Sequence, residues 1–356
     1  MDKMTLMQAL RQLLVQMPLG TKLATEKQLM AQFNTSRYRL RQALAALCDQ
    51  GYLTVVQGSG YFVADPLLHA QPRTKRLVVG VVCTHIADYI FPPIISGIDS
   101  VLAQSDAAVM LANTHNRFDA EAHSVQMLQA SKVDALIVEP TQSALANPNL
   151  ALYRHLRNAG VPVVFINARY PELSEFPALT TADKQAEYEL VTRLLAMGHQ
   201  RILGIFQVDD AQGVARMNGF IKAYQAQPAL KAESLLIMYR SSDNYALLQQ
   251  KLAALMHSAD PPTAVACYND RLAIRVMSDL VTMGYAVPKQ VSVVGFDDYE
   301  LARYSLPGLT TVRHPKRQMG ERAATMVLAM LRHQQPASFE YPVELVWRDS
   351  VAERIQ

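Results

Sequence analysis

Hydrophobic and polar positions follow two different rules along this 356-residue chain. Up to about residue 48, leucines recur every three or four residues between polar stretches, which is the period of amphipathic helices. Two short β-rich segments, residues 51–56 and 61–64, then flank a Gln-Gly-Ser-Gly turn and predict a β-hairpin. From residue 77 onward, continuous apolar runs alternate with helical stretches, which is typical of strands buried on both faces of a parallel sheet.

The N-terminal pattern predicts three helices. The leucines predict one helix over residues 5–16, a second after Thr25 and a third over residues 37–48. Thr25 and Gln28 have the spacing of a capping box, and Ser36 is suited to cap the third helix. Three helices followed by a hairpin make a winged helix-turn-helix, whose third helix enters the major groove of DNA.

The larger part of the chain predicts an α/β fold. Eight buried strands are expected in two series of four, over residues 77–83, 107–113, 135–139, 161–167, 201–206, 234–238, 264–268 and 291–296. In the first series the strands recur at intervals of about 26 to 30 residues, which is the length of a strand, a helix and two loops. We therefore expect two doubly wound parallel-sheet subdomains. Their ligand cleft should lie at the carboxyl ends of the strands.

Charge divides the chain in the same place. Residues 1–76 hold ten basic and four acidic residues, a net charge of +6, while the remainder carries a net charge of −3. A small basic unit joined to a large acidic one is the asymmetry expected when only the small unit meets a polyanion. We predict a DNA-binding domain over residues 1–66, a linker over 67–75, and a large α/β unit with a different partner over 76–356.

The predicted strand ends carry polar and aromatic residues. Polar groups that form bidentate hydrogen bonds, mixed with aromatic rings, are what a small polyhydroxylated ligand requires. The candidate sugar-binding residues are Asp88, Tyr89, Phe91, Glu139, Arg216, Tyr268, Asn269, Asp297 and His314.

Other interpretations of these residues stay open. The pairs Asp209-Asp210 and Asp297-Asp298 also suit a cation site or a glycosidase acid pair. Asp270 and Asp298 are alternatively helix caps. His314 lacks the HxH or HExxH pattern of a metal ligand, and no recognisable nucleophile turn is present. We therefore expect no catalytic residues, no metal and no cofactor.

The remaining composition points to the cytoplasm. Cys48, Cys83 and Cys267 are isolated from one another and predict reduced packing residues. No apolar run reaches the roughly 18 to 20 residues of a membrane span, so no membrane partner is expected. The first residues predict an amphipathic helix and not a secretory signal.

The segment TEKQLMAQFNTSRYRLRQALAALCDQGYLTVVQGSGYFVA resembles the DNA-binding domain of the gluconate-repressor (GntR) family over essentially its whole length. The match joins a helix-turn-helix to a GSG hairpin at a fixed distance. The resemblance implies that double-stranded operator DNA is contacted around the recognition helix and the wing, by Glu26, Ser36, Arg37, Tyr38, Arg41, Gln57 and Gly58.

The large unit resembles the effector domain shared by the lactose-repressor family and periplasmic sugar-binding proteins of the first type. The matching blocks include RLVVGVV, GHQRILGI, ARMNGFIKAY, CYNDRLAIRVMSDL and VSVVGFDDYELARY. The resemblance implies that residues 76–356 are a sugar-binding effector and dimerisation domain. It also implies that sugar contacts come from Arg216, from Asn269 or Asp270, and from Asp297.

The two parts together are similar to arabinose-responsive bacterial repressors. That resemblance implies L-arabinose as the effector, and we expect a homodimer that binds a palindromic operator and releases it when sugar binds. Three alternatives are a repressor that answers another pentose, a hexose or a nucleoside, a sugar-binding transport component, and an enzyme.

Overall fold

The computed structural model describes residues 3–64, 76–342 and 344–354, which belong to two compact units. The first unit extends to Arg76 and the second begins at Leu77. The expected linker, residues 67–75, lies outside the described residues, and its boundaries stay a prediction.

The first unit has the predicted elements. Thr25 and Gln28 close a capping box at the start of the second helix, and Ser36 caps the third by accepting a hydrogen bond from the Arg39 N–H at 3.4 Å. The elements are α1 (Lys3–Val15), α2 (Glu26–Gln32), α3 (Arg37–Asp49), β1 (Leu53–Val56) and β2 (Gly60–Val63). Their shared core consists mainly of leucines, among them Leu6, Leu10, Leu29, Leu40 and Leu44. Each such side chain contributes about 1.5–3 kcal/mol when it is fully buried.

The second unit alternates strands and helices. Its helices are α4 (Phe91–Leu102), α5 (Phe118–Ala130), α6 (Leu150–Asn158), α7 (Asp183–Ala196), α8 (Ala211–Gln225), α9 (Tyr245–Met256), α10 (Asp270–Thr282), α11 (Glu300–Tyr304) and α12 (Lys316–Leu331). Its strands are β3 (Val78–Cys83), β4 (Ala108–Asn113), β5 (Ala135–Val138), β6 (Val163–Asn167), β7 (Ala178–Thr181), β8 (Ile202–Gln207), β9 (Leu235–Tyr239), β10 (Ala264–Cys267), β11 (Ser292–Val294), β12 (Thr311–Val312), β13 (Phe339–Tyr341) and β14 (Leu345–Val346). Short 3-10 turns lie at Ala103–Ser105, Pro171–Leu173 and Pro228–Glu233.

Ten of these strands form two parallel sheets, and β12 and β14 form a separate antiparallel pair. One sheet has the order β13-β7-β6-β5-β3-β4 and belongs to what we call the first lobe. The other has the order β11-β10-β8-β9 and belongs to the second lobe. Helices α4 and α12 cover one face of the first sheet, and α5 and α6 cover the other. In the second lobe, α9, α10 and α11 lie on one face and α7 and α8 on the opposite face. The predicted pair of doubly wound subdomains is confirmed.

The chain passes between the lobes three times. It leaves the first lobe after β7, returns after β12 to form α12 and β13, and leaves again to pair β14 with β12. The returning α12 packs closely on α4 because both helices have glycine at the contact. A Cβ atom at Gly97 would lie 2.3 Å from the Arg317 carbonyl oxygen, and one at Gly320 would lie 2.0 Å from that of Ile94.

Candidate functional site

A cavity of about 670 Å³ lies between the two lobes, at the carboxyl ends of their strands. Loops from both sheets line it, as the strand-end argument predicts. His314 is not among the lining residues and is buried, with its Nε2 atom 3.0 Å from Asn167 Oδ1. The other eight candidate residues line the cavity: Asp88, Tyr89, Phe91, Glu139, Arg216, Tyr268, Asn269 and Asp297.

Arg216 lines the cavity, makes hydrogen bonds to three other residues and is only 1% exposed. Its Nε donates to Asp183 Oδ1 at 2.8 Å, and its Nη2 donates to Asp297 Oδ1 at 3.2 Å. Its Nη1 donates to the Tyr268 carbonyl oxygen at 2.6 Å, and the guanidinium lies 3.6 Å from the Phe296 ring centroid. Three of the five guanidinium N–H groups are thereby used. The other two are not used in these contacts.

Helix α7 contributes two buried carboxyl groups near Arg216, those of Asp183 and Glu187. Burial raises the pKa of Asp183 to about 6, although the Arg216 charge opposes the shift. Burial raises the pKa of Glu187 to about 8, and neither of its carboxyl oxygens has a hydrogen-bond partner among the described residues. Glu187 is therefore mainly neutral at pH 7, and Arg216 is balanced by aspartates.

The loop after β3 reaches across the cavity to the second lobe. The Tyr89 hydroxyl donates to Asp297 Oδ2 and, at 3.2 Å, to the Phe296 carbonyl oxygen. Asp88 forms an ion pair with Arg271 of α10. Tyr89 and Asp297 both have positive φ angles, +62° and +103°. Sparsely populated backbone conformations persist only where the surroundings fix them, and they cluster at binding sites.

A second set of polar contacts joins the lobes through Asp210. Ser143 Oγ in the first lobe donates to Asp210 Oδ1 at 3.0 Å, and the Tyr268 hydroxyl donates to Asp210 Oδ2. A further contact joins the lobes without Asp210: Asn116 Nδ2 of the first lobe donates to Ser241 Oγ of the second at 2.9 Å. The lobes are thus held together by hydrogen bonds at several points around the cavity.

Glu139, at the end of β5, is an acceptor for its own lobe. Its Oε2 accepts the Thr84 N–H at 2.9 Å and the Thr84 hydroxyl at 2.7 Å, while Oε1 accepts from Asn167 Nδ2 at 3.1 Å. Burial nevertheless raises the pKa of Glu139 to about 7. Burial lowers the pKa of His314 to about 3, so this imidazole is neutral, and its Nδ1 has no partner among the described residues.

The two expected helix caps are wrong. Asn269 caps α10 by accepting the Leu272 N–H at 2.9 Å. Asp270 is the first residue of that helix and is fully buried, accepting the Thr311 hydroxyl at 2.6 Å and the Tyr299 N–H at 2.7 Å. Asp298 pairs with Arg313 and Arg348 instead of capping a helix. At α10, Asn269 takes the capping position instead of Asp270, because its short side chain reaches the free N–H groups of the first helical turn.

Both carboxylates of the pair Asp209-Asp210 accept hydrogen bonds from other residues of the protein. Asp209 accepts the Ser241 N–H at 3.0 Å and the Ser241 hydroxyl at 2.5 Å. Asp210 caps α8 through the Gln212 N–H at 3.2 Å. Across residues 3–64, 76–342 and 344–354, no group of three or more His, Cys, Asp or Glu side chains is arranged to hold a metal ion.

Several lining residues escaped prediction from the sequence. They include Asn116 and Gln142 of the first lobe and Gln207, Tyr239 and Lys251 of the second. Gln207 and Tyr239 are the last residues of β8 and β9, so the strand-end argument could have found them. Lys251 lies in the middle of α9, where only the packing of the helix brings it to the cavity.

In the first unit, Glu26 organises the basic face of the recognition helix α3. Its carboxylate accepts hydrogen bonds from Arg41 Nε at 2.9 Å and from Arg37 Nε at 3.2 Å. These arginines lower the pKa of Glu26, Arg41 most strongly. Both arginine side chains stay more than half exposed. The arrangement fixes their stems and leaves N–H groups free for an external acceptor.

Tyr38 and the wing present further exposed groups. Tyr38 is 72% exposed, and its hydroxyl oxygen accepts a hydrogen bond from Gln42 Nε2 at 2.8 Å. The turn between β1 and β2 contains Gln57 and Gly58, and Gly58 has a φ of +78°, which favours glycine. The surface formed by α3 and this turn suits a nucleic acid.

Comparison with known proteins finds a matching family for each of the two units. Residues 2–63 match the family described as bacterial regulatory proteins, gntR family, and residues 191–351 match the periplasmic binding protein-like domain. The large unit also superimposes on a LacI family transcriptional regulator from Enterococcus faecium with bound ribose. That match has a TM-score of 0.67 and 24% identity, and covers 78% of this chain and all of that one. The gntR family match identifies the first unit as that of a DNA-binding transcriptional regulator.

Two relatives narrow this class. The chain is 38% identical to the arabinose metabolism transcriptional repressor of Geobacillus stearothermophilus over 95% of this chain and 93% of the relative. It is 34% identical to the repressor of the same name from Halalkalibacterium halodurans, over 93% and 91% of the two chains. The chain belongs to this family of transcriptional repressors and is not an enzyme. Within the described residues, no helix is both long and apolar enough to cross a membrane.

Proposed function

We propose that the chain represses genes of arabinose utilisation and leaves its operator when L-arabinose binds in the cavity. The observation that carries the proposal is the buried Arg216–Asp297 pair at a polar cavity between two lobes. Its support is the identity with two repressors named for arabinose metabolism. We place the protein in the cytoplasm, where operator DNA is found.

For the sugar, we propose that Arg216 and Asp297 bind adjacent hydroxyl groups from the second lobe. The two unused N–H groups of Arg216 would donate, and Asp297 would accept. Glu139 would accept from the first lobe, and Tyr89, Phe91 and Tyr268 would pack against C–H faces. Asp88 and Asn269 would complete the polar lining. His314 would act indirectly, by holding Asn167 beside Glu139.

For the operator, we propose that Arg37 and Arg41 contact DNA in the major groove from positions fixed by Glu26. Arginine forms bidentate hydrogen bonds with guanine, worth about 1–3 kcal/mol each in discrimination between bases. Tyr38 projects from the same helix face, and Ser36 orients the helix start. Gln57 and Gly58 would reach the DNA from the wing.

We propose that the repressor is a homodimer, because a two-fold dimer matches the two half-sites of a palindromic operator. Helices α9, α10 and α11 cover the same face of the second sheet, and each leaves a large apolar side chain exposed: Leu247, Val281 and Leu301. Tyr304 and Leu306, which follow Leu301 in the chain, are also exposed, by 68% and 95%. Leu306→Glu is expected to give monomers in analytical ultracentrifugation. Dimers of unchanged affinity would place the interface elsewhere.

The proposed mechanism couples cleft closure to DNA affinity. Sugar that bridges Asp297 and Glu139 favours one relative orientation of the lobes, and this changes the spacing or freedom of the two DNA-binding units in the dimer. Linkage then requires reciprocity. If sugar weakens operator binding by some factor, operator DNA must weaken sugar binding by the same factor.

Calorimetric titration of L-arabinose into the repressor, with and without saturating operator, tests this proposal. Weaker sugar binding in the presence of operator is expected, and equal affinities would contradict it. D-Ribose, D-galactose, D-xylose and adenosine serve as comparison ligands. A preference for any of these over L-arabinose would keep the mechanism and replace the effector.

A further inference from the structure

The cavity has room for more than a pentose. Its volume is about 670 Å³. Ten water molecules occupy roughly 300 Å³ in the liquid, and the about ten non-hydrogen atoms of a pentose occupy less because they are bonded to one another. A pentose beside Arg216 therefore leaves roughly half of the space for another chemical group.

The remaining space has a cationic lining. Besides Arg216, four basic side chains of the second lobe line the cavity, and we call them the cationic region: Arg240, Lys251, Arg271 and Arg275. Arg271 and Arg275 are four residues apart on α10 and so share a helix face. Lys251 comes from α9 and Arg240 from the loop that follows β9. Separate elements thus direct positive charge into one cavity.

Two of these four cations contact other side chains of the protein, and the other two do not. Arg271 pairs with Asp88, and the Arg275 guanidinium lies 5.0 Å from the Tyr245 ring centroid. The side chains of Arg240 and Lys251 make no hydrogen bond or ion pair with another described residue.

The acidic groups nearby do not balance this charge. Asp88 and Asp243 line the cavity, as do Glu139, Asp210 and Asp297, which accept hydrogen bonds from other protein groups. Asp279 lies behind it and is occupied by the Tyr245 hydroxyl at 2.6 Å and by Gln249 Nε2 at 2.7 Å. With Arg117 and Arg216, six basic side chains line the cavity against five carboxyl groups, and Arg240 and Lys251 have no carboxylate partner among the described residues, which suits an anion.

We propose that the cationic region binds the phosphate group of a small metabolite, next to the space for the sugar. Arginine binds phosphate oxygens through paired N–H groups, and lysine adds a point charge. The phosphate is either free or carried by a sugar that itself fills the Arg216 pocket. The inference rests on the proposed sugar site, and with a free phosphate the repressor reads two chemical signals in one cavity.

The test is isothermal titration of the full chain with inorganic phosphate, D-ribose 5-phosphate and D-ribose, each with and without saturating L-arabinose. Binding of inorganic phosphate that persists with L-arabinose present indicates a separate anion. Binding of the phosphate ester alone, with displacement of L-arabinose, indicates one ligand that spans both regions. Both results support the proposal. The L-arabinose titration by itself reports on the sugar site, so the two proposals fail separately.

Variants assign the binding to the cationic region. The double variant Lys251→Gln/Arg275→Gln is expected to weaken anion binding about tenfold or more, because two charge-assisted contacts are lost. L-Arabinose affinity should change less than about twofold, because neither residue is among the proposed sugar contacts. The matched control is Lys289→Gln/Arg303→Gln, which removes the same charge from two exposed residues outside the cavity. Absence of saturable anion binding, or an equal loss in both double variants, would overturn the proposal.

Discussion

Replacing Arg216 by alanine should destabilise the large unit and remove the sugar response. The substitution leaves Asp183 and Asp297 buried without their cation, since both accept from Arg216 at 2.8 and 3.2 Å. Removing one partner of a buried ion pair costs about 3–5 kcal/mol. A loss of 1 kcal/mol lowers the melting temperature of a unit this large by roughly 2–4 °C, so a fall of roughly 6–20 °C is expected.

The size of this loss should depend on pH. The pKa of Asp183 is already raised to about 6 in the presence of Arg216, and it should rise further when the cation is removed. A protonated carboxyl group is cheaper to bury than a carboxylate. The difference in melting temperature between Arg216→Ala and the wild type should therefore be smaller at about pH 5 than at about pH 8.

Differential scanning calorimetry at both pH values measures this effect, with Arg271→Ala as the matched control. Arg271 also pairs with an aspartate, Asp88, but both side chains of that pair are more than 40% exposed. Exposed pairs contribute about 0–1 kcal/mol. Should Arg216→Ala melt no lower than Arg271→Ala, the argument from the buried ion pair is wrong.

Three further predictions concern other charged groups. Arg41→Ala should weaken operator binding about tenfold or more in a gel-shift titration while sugar affinity is unchanged; loss of both would refute the division between the units. Glu187, whose pKa is raised to about 8, binds a proton in the folded chain that the unfolded chain releases, so its contribution to wild-type stability should fall as pH rises from about 4.5 to 8. Glu187→Gln should flatten that fall in melting experiments, and an unchanged slope would exclude Glu187 as its source. Glu139→Gln should remove any change in sugar affinity around pH 7, where the wild-type group titrates.

The sequence was sufficient for eight of the twelve strands described in the large unit and for eight residues that line the cavity. Strands buried on both faces, such as β3 and β6, are continuous apolar runs, and the residues that follow them meet at one edge of a sheet. Tyr89 and Asp297 were therefore predicted for one site, although more than 200 residues separate them in the chain.

Other features depend on packing that no local pattern reveals. Strand β13 has three residues and joins the first sheet from the far end of the chain, which periodicity cannot indicate. His314 follows a strand as the prediction required, but the side chain is covered by the residues around it and binds Asn167. The sequence gives Arg216 one interpretation, as a sugar ligand, whereas its contacts also make it a structural cation.

The late return of α12 and β13 to the first lobe has a consequence for synthesis. The DNA-binding unit is complete once residue 64 has left the ribosome, since its core uses no later residue among those described. The first lobe still lacks a covering helix and an edge strand until residue 341 emerges. A nascent repressor therefore acquires its operator-reading surface well before it can assemble the compartment that senses the inducer.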